Sequence, residues 1–123
     1  MLFASSLWRY DRRHVFKVET IGDCYVAVTG IPHAQKDHAV IMVRFAQACL
    51  HRLQEVLAND LAVRLGPDVL DINMRVGLHS GPTTAGVLRG IKGRFQLFGD
   101  TVNTAAVRDW LCKRSMGCAV YVS

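Results

Sequence analysis

From Phe16 to Gly30 the chain reads FKVETIGDCYVAVTG, two short β-forming runs with only Gly22-Asp23 between them. A leading glycine supplies the positive φ that a two-residue hairpin turn demands, and the second run, Cys24 to Thr29, is rich in strand-favouring residues. That spacing calls for an antiparallel hairpin. In the first run Phe16, Val18 and Thr20 alternate against Lys17, Glu19 and Ile21, the period-2 pattern of a strand with two unlike faces. Glu19 and Asp23 stand on either side of the turn. Two carboxylates near each other on one rigid element suit metal binding or the recognition of a base.

After Gly30 and Pro32 the period changes. From about Asp37 to Asn59, Ala39, Met42, Val43, Ala46, Cys49, Leu50, Leu53, Val56 and Leu57 recur at helical steps, with Arg44, Gln47, Arg52 and Glu55 on the wet side. Asp37 is the expected N-cap. Such a stripe is the face a helix turns to a core. Gly66-Pro67-Asp68 reads as a turn. Ile72, Met74, Val76 and Leu78 then alternate with Asn73, Arg75, Gly77 and His79, which predicts a half-buried strand closed by Gly81-Pro82. Thr83 to Leu88 and Phe95 to Phe98 predict two more strands around a basic loop, Gly90 to Gly93. A helix is expected from Thr101 with Asp100 as N-cap, and the tail near Tyr121 is strand-like. The order β-β-α-β-β-α-β with tight hairpins is an α+β layout. It has the pattern of a ferredoxin-like antiparallel sheet with helices on one face, without its first strand and helix.

The 123 residues fit one domain, and half of them are apolar, enough for a real core. No run approaches the roughly 18 apolar residues of a membrane span. Met1 to Trp8 is apolar but has no basic segment ahead of it, and Arg9 follows too early for a signal peptide. The expectation is therefore a cytoplasmic domain, or the cytosolic domain of a protein whose membrane spans lie elsewhere. Cys24, Cys49, Cys112 and Cys118 show no CxxC spacing, and Cys49 falls on the apolar side of the helix as a reduced core thiol. His33 and His38 are five apart, not the i,i+3 or i,i+4 spacing that brings helical side chains together. The net charge of +5 suits an anionic partner, a triphosphate or a nucleic acid.

The segment from Phe16 to Gly30 closely resembles a signature of the class III adenylyl/guanylyl cyclase catalytic domain, and Phe98-Gly99-Asp100-Thr101-Val102-Asn103 resembles a second one, in the right order. Arg75 to Gly81 and Ala85-Gly86-Val87 are similar to core segments of the same family. The resemblance runs from about Val15 to Ala106, which makes residues 1–14 an N-terminal remnant and 15–123 a partial cyclase domain. It implies synthesis of a cyclic nucleotide from a nucleoside triphosphate in intracellular signalling. The ribose 3′-oxygen attacks the α-phosphorus and pyrophosphate leaves, with two divalent ions, Mg²⁺ or Mn²⁺, to neutralise charge. By the resemblance Asp23 is a metal ligand, Glu19 and Gln96 contact the purine, and Asn103 orients the ribose. A carboxylate at Glu19 accepts both N–H donors on guanine's edge, where adenine presents an acceptor, so GTP is favoured over ATP. Gln96 offers a donor and an acceptor and fits either base. The family's dimers are head-to-tail with sites at the interface. The implied partner is thus another cyclase domain, identical or different, with Asp23 from one subunit and Glu19, Gln96 and Asn103 from the other. The bland alternatives are a turn aspartate, an exposed strand glutamate and an asparagine serving loose backbone at a helix start.

The chain also departs from the pattern. No segment matches the Asp-Ile-x-Gly-Phe type strand that carries the family's other metal aspartate. Where the family continues Asn-x-Ala-Ser-Arg, this chain has Asn103-Thr104-Ala105-Ala106-Val107-Arg108. Val107 takes the place of the transition-state arginine. Arg108 comes one residue late, about 100° round a helix of 3.6 residues per turn, which weakens its electrostatic service. The phosphate-binding lysine would fall beyond Ser123. Weak or absent activity of the isolated chain is expected, and a non-catalytic cyclase-like dimerisation or regulatory domain is the main alternative. Lys92 to Phe98 loosely resembles an RNA-binding strand motif, but Arg94 sits where that motif needs an aromatic, and no nucleic-acid partner is expected. Gly81 to Gly86 has no Lys-Ser/Thr and is not a P-loop.

Overall fold

A computed structural model describes residues 14–22, 24–89 and 93–111 of the chain. The hairpin forms as its spacing requires. Strand β1 (Val15–Ile21) runs antiparallel to β2 (Cys24–Thr29), and Ile21 pairs with Cys24, which leaves two residues for the turn. Gly22 has φ 61°, the left-handed conformation that favours glycine.

The pairing is not regular along its whole length. Lys17 faces Ala27 and Glu19 faces Val26, so Val18 is an extra residue, a β-bulge. Paired residues project to one face of a sheet. Glu19 therefore shares the face of Val26 rather than the face of Lys17, contrary to the simple alternation expected for this strand. Val18 joins that same face, where it packs with Val26. Lys17, on the other side, sets its ammonium 5.4 Å from the centre of the Tyr25 ring.

Both faces of β2 are covered. Helix α1 (His38–Val56) lays Met42, Phe45 and Cys49 on Ala27, with Tyr25 and Val15 at the margin. Met42, Ala46 and Cys49 are buried as the apolar stripe requires, but Ala39, Val43 and Leu50 of the same stripe are exposed, and Phe45, which the stripe left out, is buried. On the opposite face Val26 meets Ala105 and Val102 of the last helix. Asp37 holds the N-cap position of α1, but its carboxylate makes no capping bond. The helix start is secured by other groups. His38 Nδ1 lies 2.9 Å from the Gln35 carbonyl, His38 Nε2 lies 2.6 Å from Ser80 Oγ, and the Thr29 hydroxyl donates to the His38 carbonyl at 3.1 Å.

Helical structure continues past Asn59, through a π-helical stretch at Leu57–Leu61 and a short helix α2 (Ala62–Leu65), to Gly66 with φ 100°. The amphipathic signal fades after Leu57 because Val63 and Leu65 are 80% and 70% exposed, yet nothing breaks a helix before Gly66-Pro67. A 3₁₀ turn, Pro67–Asp71, follows. The strand expected at Ile72 to His79 is not paired into a ladder among the described residues. Its alternation is nonetheless real, since Met74, Val76 and Leu78 all pack on the α1 core. Periodicity records which side chains are buried; it does not supply the neighbouring backbone.

Strands β3 (Thr84–Leu88) and β4 (Arg94–Phe98) form a second antiparallel hairpin, in register from Thr84 opposite Phe98 to Leu88 opposite Arg94. The rings of Phe16 and Phe95 meet edge-on at 5.2 Å and bring β1 beside β4. Helix α3 (Asp100–Leu111) completes the order, with Asp100 in its first turn rather than ahead of it. Negative charge there suits the helix dipole. The α+β class stands. The tail near Tyr121, the loop residues 90–92, Cys112, Cys118 and residues 1–13 lie outside the described residues. No helix among the described residues is long and apolar enough to cross a membrane. Met42 is fully buried between α1 and β2; Met42→Ala is expected to cost roughly 2–5 kcal/mol, read as a lower midpoint in urea unfolding.

Candidate functional site

Three of the residues singled out from the sequence are described with their surroundings. Glu19 is half-buried on β1, opposite Val26. Gln96 is half-buried on β4, opposite Gly86. Asn103 is exposed in the first turn of α3. Asp23 lies outside the described residues, and so does the side chain of Arg108. Val107, at the position before it, is 54% exposed.

Packing draws the elements that carry these residues together. The bulge puts Glu19 on the face of Val26, and Val26 packs against Val102 and Ala105, on either side of Asn103 in α3. The Phe16–Phe95 contact places β1 next to the strand bearing Gln96. Gly86, across from Gln96, would meet no atom within 4 Å if it carried a Cβ, so space is open over that position of the sheet face. A carboxylate that accepts, an amide that does both and a second amide on a helix start are a set able to hold a flat, polar heterocycle and its sugar.

Sequence reasoning gave no role to Thr101, though it lies inside a motif that was singled out. Thr101 is buried, and its hydroxyl donates to the Pro82 carbonyl at 2.7 Å. A Cβ on Gly81 would stand 2.8 Å from that hydroxyl oxygen. The readable signals were a threonine at a helix start, which often bonds to backbone, and a Gly-Pro pair ahead of a strand. Ser80, bonded to His38, was likewise read only as part of a core segment.

Among the described residues no three acidic, histidine or cysteine side chains gather as a metal centre.

The family model for the adenylate and guanylate cyclase catalytic domain matches residues 5–115. The chain is 38% identical over 96 residues to the receptor-type guanylate cyclase gcy-28 of Caenorhabditis elegans, covering 78% of this chain and 7% of that protein. It is 43% identical over 97 residues to guanylate cyclase 2D of Rattus norvegicus, covering 78% and 8%. To the guanylate cyclase soluble subunit beta-2 of Rattus norvegicus it is 42% identical over 102 residues, covering 80% and 14%. The chain thus spans less than a sixth of the length of these curated relatives. No solved structure matches it.

Gly86, inside β3, and Gly99, just after β4, differ in what they tolerate. Gly99 has φ 132° and Gly86 has open space around it. Gly99→Ala is expected to lower stability by about 1–3 kcal/mol, whereas Gly86→Ala should stay within about 0.5 kcal/mol of the parent, both measured by thermal unfolding.

Proposed function

Because the chain belongs to the adenylate and guanylate cyclase catalytic domain family, we propose that it serves the conversion of a nucleoside triphosphate to a cyclic nucleotide and pyrophosphate, with GTP preferred to ATP. The observation that carries this reading is the register of the first hairpin: Glu19 lies opposite Val26, on the face that receives the helix of Asn103. A base reader and a sugar reader then address one ligand. The Glu19 carboxylate accepts from the N1–H and N2–H of guanine, Gln96 donates to its O6, and Asn103 orients the ribose so that the 3′-oxygen faces the α-phosphorus. The names of the three relatives given above, each a guanylate cyclase, support the same preference.

Asp23, at the hairpin turn in sequence, is the residue assigned to Mg²⁺ or Mn²⁺. Bound there, such an ion would neutralise phosphate charge and lower the pKa of the 3′-hydroxyl. The partner is a second cyclase domain, identical or different, whose residue equivalent to Asp23 faces the nucleotide held by this chain. The domain is assigned to the cytosol, as a cytoplasmic protein or as the cytosolic part of a membrane protein.

A second reading has its own observation. Val107 is half-exposed on α3 where the family's pattern carries arginine. A chain without that cation leaves transition-state charge unmet and is suited to completing or regulating a full partner.

The test is to measure GTP and ATP binding by the purified chain, and then cyclic GMP and cyclic AMP formation with Mn²⁺. GTP is expected to bind at least about tenfold more tightly, a difference of ~1.4 kcal/mol, and Glu19→Lys to erase or reverse that preference. Turnover by the chain alone is expected to be weak. Equal binding of both nucleotides would remove the guanine reading. Robust turnover abolished by Asp23→Ala would overturn the weak-activity expectation.

A further inference from the structure

Gln96 and Asn103 belong to different elements joined by a single residue. Strand β4 ends at Phe98, α3 begins at Asp100, and Gly99 between them has φ 132°. A glycine joint of this kind fixes no angle by itself. The backbone bond from Val102 N–H to the Gly99 carbonyl, 3.2 Å, closes the first helical turn but stays within the joint.

The hydroxyl of Thr101 reaches outside it. Its bond to the Pro82 carbonyl, at 2.7 Å and with Thr101 only 5% exposed, ties the first turn of α3 to the chain entering β3. Strand β3 is itself paired with β4, starting at Thr84 opposite Phe98. The connection thus closes a ring through β4, Gly99, Thr101, Pro82 and β3. Gly81 admits the hydroxyl, because any side chain there would begin 2.8 Å from it. The Pro82 oxygen also lies 3.6 Å from where a Cβ on Gly99 would be, an ordinary contact, so the Gly99 joint and the Thr101 hydroxyl sit beside the same carbonyl.

We infer that Thr101 is a positioning residue for the nucleotide: its bond to Pro82, admitted by Gly81, holds Asn103 at a set offset from Gln96, so that base and ribose of one nucleotide are read together. The inference rests on the reading of Gln96 and Asn103 as nucleotide contacts. Thr101 is buried and acts through Asn103, not on the ligand.

The experiment is a double-mutant cycle on GTP affinity of the full chain, read by competition with a fluorescent GTP analogue, with ATP measured alongside. Thr101→Val keeps the shape and removes the donor; it should weaken GTP about tenfold, as a misplaced contact does, while the GTP-to-ATP ratio holds. Thr101→Ser should restore binding. Combined with Asn103→Ala, Thr101→Val should add no further loss, because the two act through one contact. If Thr101→Val does not fold, Gly81→Ala, which displaces the hydroxyl by steric contact, enters the same cycle. Losses that simply add, or Thr101→Val and Gly81→Ala binding like the parent, would overturn the inference while leaving the proposed function intact. A parent chain that binds no GTP, or an Asn103→Ala variant that binds as the parent does, would overturn the proposed function and the inference with it.

Discussion

Strand β2 is the member on which the described structure depends. Val26, Ala27, Val28 and Thr29 are all buried, and successive side chains serve opposite neighbours. Ala27 takes α1 and Val26 takes α3. A strand covered on both faces carries near-continuous apolar residues instead of alternating ones, and Cys24 to Val28 is such a run. The small side chain of Ala27 lets Met42 and Phe45 approach closely. Glu19 and the helix that carries Asn103 are both held against this one strand.

Much of this was readable in the residues, for reasons specific to each. The hairpin followed from Gly22, since only a left-handed residue closes a two-residue turn cheaply. The helical stripe identified Met42, Ala46, Cys49 and Leu57 as core because burial leaves a 3.6-residue period. The bulge was not readable. Val18 is as good a strand residue as its neighbours, and an extra residue leaves no mark until the partner strand is in view. The end of the helical stretch was misjudged for a related reason: a solvent-facing helix loses its apolar period without ceasing to be helical.

The site divides along the same line. Glu19, Gln96 and Asn103 stood out by motif, but which of them share a face is a property of register and packing. Thr101 and Gly81 were passed over because their roles are reciprocal. A hydroxyl seeking a carbonyl and a missing Cβ become a pair only across the 19 residues between Gly81 and Thr101.

The bulge has one further consequence. Position on β1 can be counted inward from Val15 or back from the Gly22 turn, and the two counts disagree by one at Val18. Glu19 obeys the count from the turn. A chain one residue shorter, without Val18, could keep Lys17 across from Ala27 and Glu19 across from Val26, so the Glu19 carboxylate is indexed to the turn and insulated from length changes upstream of it.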